Sequence, residues 1–307
     1  MIPFFGTFLV LAIWISGLLP VSGSLLPPLK EKGLSVRVTT QREGPMTHFY
    51  VENDELCEIT MSFELGLRNL KPNSGAALTA TFPPQKITEA FFLEPQKDDA
   101  PWEYSYTNYF KLGSSIAIHD DKHVYQLPYA PGSKYKVTQA YGGTFSHKGS
   151  NKYAIDWQMP EGTPVLAARD GVVVKTKDDS STGGGNIRFD PYNNYVLIRH
   201  DDGTLGHYCH LQKSGVCVKP GQLVHTGDMI ARSGNTGFSS GPHLHFAVFK
   251  TRDGKERISL PIRFRTNDEQ ATTLAEGRRY TATPVPTPAP IQTASSPVPG
   301  AATSGKL

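Results

Sequence analysis

The run Ser240-Gly241-Pro242-His243-Leu244-His245-Phe246-Ala247-Val248-Phe249 carries the residues best suited to chemistry. A Gly-Pro corner followed by apolar residues predicts a strand, in which side chains alternate between faces. His243 and His245 then share one face, and Leu244, Phe246 and Val248 line the opposite, apolar one. Two imidazoles on a strand pinned by a hydrophobic back form a platform for a metal ion. Surface strands carry such pairs by chance, so further ligands are needed. The chain offers His147 in the Gly-rich Tyr141–Gly149 loop, Asp156 near the start of a predicted strand, and His210. Around His210, alternation predicts Tyr208 and His210 on one face, with His207, Cys209 and Leu211 on the other. That sets His207 aside as a partner of His210.

Short strands must position these groups. Beyond Tyr129-Ala130-Pro131-Gly132, turn pairs and apolar runs recur at short intervals: Thr163–Ala168, Gly171–Val174, Tyr195–Arg199, Leu205–Leu211, Val216–Val218 and Met229–Ala231. This pattern predicts an antiparallel sheet domain with little or no helix over residues 131–268. Residues 34–130 read as a separate β-sandwich-like module, from alternating runs such as Leu34–Thr40 and Cys57–Glu64. The fold class is therefore all-β. His48, His119 and His123 in the first module have no spaced acidic or Cys partners and are read as packing or surface residues.

Composition narrows the function classes. The formal net charge is +3 at pH 7 and the charges are scattered, so no basic stripe suggests nucleic acid as a partner. Three cysteines, Cys57, Cys209 and Cys217, are too few for a disulfide scaffold or a Cys-rich zinc site. Cys209 and Cys217 flank a predicted hairpin bend, where a bond and two unbonded thiols are equally compatible with the spacing. Residues 1–23 form an apolar run ending in Pro20-Val21-Ser22-Gly23, the pattern of a secretory signal. No Lys or Arg precedes the apolar core, so an uncleaved anchor is the alternative; either way the chain is expected to be exported. Residues 271–307, rich in Pro, Thr, Ala and Ser, are expected to form a disordered or polyproline-like tail.

Residues about 135–250 resemble the M23, or lysostaphin/LytM-like, zinc metallopeptidases. The likeness rests on separate motifs: His147 with Ala154-Ile155-Asp156, Pro160-Glu161-Gly162-Thr163-Pro164, Asp170-Gly171, Tyr208-Cys209-His210-Leu211, Lys219-Pro220-Gly221, Ser233-Gly234-Asn235-Thr236-Gly237 and Gly241-Pro242-His243-Leu244-His245. The resemblance implies a LytM-like fold in which His147, Asp156 and His245 bind one Zn²⁺ and His210 and His243 are the catalytic pair. It also places Tyr141 where some relatives carry an oxyanion-stabilising tyrosine. Three N/O ligands leave a fourth position for water, the arrangement of a catalytic zinc. Such a metal lowers the pKa of its water to about 7, and nearby imidazoles can move the proton and stabilise an oxyanion.

One feature departs from the family: Lys148 to Ile155 separate His147 from Asp156, a longer spacer than relatives commonly have. Loop-closure entropy grows slowly, by roughly 0.6 kcal/mol per doubling, so one metal can still gather both. The resemblance implies a peptidoglycan endopeptidase of the bacterial periplasm or cell envelope. The first module would meet substrate, a cell-wall enzyme or a membrane-associated partner. A non-catalytic relative that binds and regulates a cell-wall hydrolase is the rival reading, although none of the five His and Asp positions is missing. A biotinyl or lipoyl carrier would need a Lys at an exposed hairpin tip, and the chain shows none.

Overall fold

The computed structural model describes residues 35–73 and 78–286. The expected signal or anchor at 1–23, and the part of the expected tail from 287 onward, lie outside them. Among the described residues the protein is built from strands, with two short 3-10 helices, Gly149–Asn151 and Ile187–Tyr192.

The first module stacks two antiparallel sheets. One orders the strands Val36–Glu43, Met46–Asn53, Lys86–Pro95 and Leu70–Pro72; the other orders Thr79–Phe82, Ile59–Arg68 and Glu103–Leu112. Alternation along Met46–Asn53 sends Thr47, Phe49, Val51 and Asn53 inward. Phe49 stacks on Phe91 at 4.5 Å and meets Phe63 and Tyr104 edge-on across the sheets. That aromatic centre, with Ile59, Met61 and Leu93, is the sandwich core.

The second domain is organised by a nine-stranded sheet. Its main path runs Leu223–Val224, Gly171–Lys177, Tyr195–Arg199, Leu205–Cys209, His243–Thr251, Ile155–Gln158, Lys134–Gln139 and Arg279–Thr281. Arg257–Ser259 pairs beside His243–Thr251. One face of this sheet buries Trp157, Tyr208, Leu244, Phe246 and Val248 together with Val165, Leu211, Ile230 and Ala231 from a small three-stranded sheet. The opposite face carries the histidines.

The last strand corrects the expectation for residues 271–286. Arg279–Thr281 pairs with Lys134–Gln139, and Leu274, Tyr280 and Ala282 are buried in the domain core. Apolar side chains spaced among polar residues, too sparse to show a period, are enough to dock this segment. The two domains also join firmly. Leu56, Cys57 and Leu112 pack on Val174, Leu197, Leu205 and Phe249. Arg199 grips Glu58 through two bonds of 2.7 and 2.6 Å, the forked geometry that favours Arg with carboxylate. All three cysteines are free thiols, which removes the Cys209–Cys217 pairing.

Candidate metal centre

His245 and Asp156 are brought together by strand register. Ile155–Gln158 pairs antiparallel with His243–Thr251 so that Asp156 stands directly opposite His245. Their side chains share a face, and Asp156 Oδ1 lies 2.8 Å from His245 Nδ1. The long spacer from His147 is taken up by the Gly149–Asn151 turn of 3-10 helix, which returns the chain into the strand carrying Asp156. His147 is fully buried, its Nδ1 bonded to the Ala140 carbonyl at 2.9 Å. Its Nε2 faces Asp156 Oδ1 at 3.1 Å. One ligand atom from each of His147, Asp156 and His245 lies within 4.8 Å of the others.

The chemistry of this trio fits a cation. With Nδ1–H donated to Ala140, His147 Nε2 presents a lone pair to a carboxylate oxygen, and it has no hydrogen-bond partner. Two buried acceptors so close repel unless a proton or a metal ion lies between them. Burial opposes ionisation of Asp156, but the facing charge of His245 and the close contacts of both imidazoles outweigh it. Its carboxyl is held well below the usual range. Burial pushes His245 down, and the charges of His147 and His243 add to that against the pull of Asp156. Burial also weighs on His147, yet the facing Asp156 carboxylate leaves it raised. The group is therefore an anionic carboxylate between two imidazoles, a donor set suited to a divalent metal.

His210 joins from the neighbouring strand by a local irregularity. Tyr208 stands opposite Phe246 on the core side and Cys209 opposite His245. Regular alternation would send His210 after Tyr208 into the core. Instead His210 has φ 62°, in the left-handed region, and its ring lies 4.5 Å from His243 and 5.8 Å from His245. The expected grouping of His210 with Tyr208 is thus reversed: His210 sits on the histidine face. Asn193 holds this turn by accepting the His210 N–H at 2.8 Å. Gly237, at φ 76°, permits it, because a Cβ there would meet the Asn193 backbone within 2.9 Å. His210 Nδ1 donates to Thr236 O at 2.7 Å, and His243 Nδ1 to Gly241 O at 2.8 Å. Both rings are thereby fixed with their δ nitrogens occupied.

The profile described as Peptidase family M23 matches residues 150–257, a span that contains Asp156, His210, His243 and His245. The second domain belongs to peptidase family M23. An uncharacterized metalloprotease of Haemophilus influenzae is 29% identical over 241 residues, covering 74% of this chain and 44% of its own length. The peptidoglycan DD-endopeptidase ShyA of Vibrio cholerae is 37% identical over 124 residues, 39% of this chain and 26% of ShyA. The catalytic domain of lysostaphin from Staphylococcus simulans is 32% identical, covering 38% of this chain and 78% of that domain, with a TM-score of 0.27. The chain thus spans less than half the length of these two curated relatives.

Tyr141, where the resemblance implies an oxyanion-stabilising tyrosine, is held by backbone in this structure. Its hydroxyl donates to Ile262 O at 2.6 Å and accepts from Ile262 N at 2.9 Å. Both capacities are used by backbone, and burial raises its pKa. It braces the backbone at Ile262. No sequence pattern marks Gln139, whose Nε2 donates to Asp156 Oδ2 at 2.7 Å while its Oε1 accepts from Ser146 N. Gln139 so orients the carboxylate and the loop leading to His147 together. Thr236 lies in the Ser233–Gly237 motif, and its carbonyl is what holds His210.

Proposed function

We propose that this protein is an exported zinc endopeptidase that hydrolyses peptide bonds in peptidoglycan. The observation that carries it is the His147–Asp156–His245 trio with the His210–His243 pair 4.5 Å apart beside it. The M23 membership of the domain and the peptidoglycan endopeptidases among its relatives supply the substrate class. The apolar run at 1–23 supports export to the periplasm or cell envelope.

Zinc bound by His147, Asp156 and His245 would supply Lewis acidity toward a water and the scissile carbonyl. The chain's own residues do the rest. Asp156 stays ionised and, through Gln139, keeps its orientation. Burial, with His243 and His245 nearby, holds His210 well below the ordinary imidazole range, so it enters neutral. Its Nδ1–H is committed to Thr236, which turns the Nε2 lone pair outward to accept a proton from the attacking water. His243, fixed by Gly241 and Ser239, stands where its ring can donate to the developing oxyanion or share the proton due to the leaving amine.

The deciding experiment measures metal content by mass spectrometry and peptide release from purified peptidoglycan on the same preparation. Stoichiometric zinc with new amino termini in the digest is expected. A zinc-loaded protein that releases none would instead favour a regulator of another hydrolase.

A further inference from the structure

The histidine face does not end at His245. Along the same strand Ala247, Phe249 and Thr251 point the same way, and His207 stands opposite Ala247. Arg257 begins the adjoining strand opposite Thr251. Its guanidinium lies 4.4 Å from the centre of the Phe249 ring, 3.4 Å from His207 Nδ1 and 3.5 Å from Asn151 Oδ1. Asn151 belongs to the turn that follows His147.

This guanidinium is under-used. Arg carries five N–H donors in a fork that matches a carboxylate. Its two polar contacts here are long and both neutral, and no carboxylate ion-pairs with it among the described residues. Burial pushes its pKa below the ordinary guanidinium range. Asp190, whose carboxyl burial pushes up to about 6, is within electrostatic reach but makes no ion pair. Lys111 of the first module is close enough that its amine is pushed down by burial and then by the charge of Arg257. Positive charge is therefore concentrated around Arg257, on the strand adjoining the one that carries His245, and a partly buried cation of this kind is normally matched by an anion.

We infer that Arg257, with Asn151 beside it, anchors a free carboxylate of the peptide substrate to one side of the bond that is cut. The inference rests on the endopeptidase reading. Ala247 and Phe249 are two and four residues from His245, so at about 3.3 Å per residue the guanidinium lies roughly 7–13 Å along the strand from the metal trio. An extended peptide spans that distance in two to four residues. The anchor selects peptides with a carboxylate there and places their scissile carbonyl against the His210–His243 pair.

The test uses the full zinc-loaded protein and cross-linked stem-peptide dimers in two forms, with free carboxylates or with those groups converted to carboxamides. Wild type should favour the carboxylate form by roughly ten- to hundredfold in kcat/KM, expressed in KM. Arg257→Gln should abolish the preference by raising KM for the carboxylate form alone, with kcat and zinc content unchanged, and Arg257→Lys should restore part of it. Equal KM for the two forms in wild type, or equal losses on both in Arg257→Gln, overturns the anchor and leaves the peptidase reading standing. If neither form is cleaved, the peptidase reading fails, and equilibrium binding of the same two dimers decides the anchor: a carboxylate preference lost in Arg257→Gln supports it, and equal binding overturns it.

Discussion

The imidazoles of His210 and His243 lie 4.5 Å apart, tilted by 40°, each held through its δ nitrogen by a backbone carbonyl. Neither belongs to the trio His147, Asp156 and His245 whose ligand atoms converge. Zinc binding and proton movement should therefore separate by mutation. His245→Ala is expected to lose zinc and activity together. His210→Ala is expected to keep zinc within error while its hydrolysis rate drops about 10²- to 10⁴-fold. Metal content and initial rate measured on the same samples check both, and loss of zinc in His210→Ala would contradict the assignment.

Gln139 holds the Asp156 carboxylate through a hydrogen bond of 2.7 Å. Partners of this kind set ligand orientation, and removing one typically lowers metal affinity by about 10- to 100-fold. Gln139→Leu should weaken zinc binding by that factor in a chelator competition. The loop should loosen as well, because Ser146 N also bonds to Gln139. An unchanged affinity would show that the strand register alone orients Asp156.

The parts of this site that were legible in the sequence are those governed by regular geometry. His243 and His245 share a face because their strand is unbroken, and Leu244, Phe246 and Val248 fill the core behind them. The same rule misplaces His210, since one residue at positive φ undoes alternation. Nothing in Tyr208-Cys209-His210-Leu211 announces it, although His is among the residue types that tolerate that conformation. Gln139, Asn193 and Arg257 act through partners 17, 17 and 106 residues away at the most, so no local pattern marks them. The bond between Arg199 and Glu58, 141 residues apart, is invisible for the same reason.

His200 should make stability depend on pH. It is fully buried, with Nδ1 on the Asp170 carbonyl at 2.8 Å and Nε2 unpartnered. Burial pushes its pKa from 6.5 down to about 4. Above pH 6.5 the ring is neutral in both folded and unfolded chains and contributes nothing. Between 6.5 and about 4 only the unfolded chain takes the proton, so stability falls as pH falls. The loss is about 1.4 kcal/mol per pH unit and about 3 kcal/mol across the window. Urea unfolding at pH 7 and pH 4.5 should show wild type losing about 2–3 kcal/mol more than His200→Gln. Parallel losses in the two proteins would mean that His200 does not carry this dependence.

Tyr280 decides whether the segment after residue 270 is part of the domain. The residue is 7% exposed, its hydroxyl accepts from Ala275 N at 2.9 Å, and its carbonyl accepts from the Tyr129 hydroxyl at 2.9 Å. The strand it sits on adds the edge to the sheet beside Lys134–Gln139, with Tyr280 opposite Tyr135. Removing a buried aromatic ring leaves a cavity and typically costs about 3–5 kcal/mol. Tyr280→Ala should lower the unfolding free energy by about 3 kcal/mol, and Tyr280→Phe, which keeps the ring and loses one bond, by about 1 kcal/mol. Because Lys134–Gln139 lies between this edge and Asp156, deletion of residues 271–286 should also weaken zinc binding. A deletion variant with wild-type unfolding midpoint and zinc affinity would return the segment to the status of a tail.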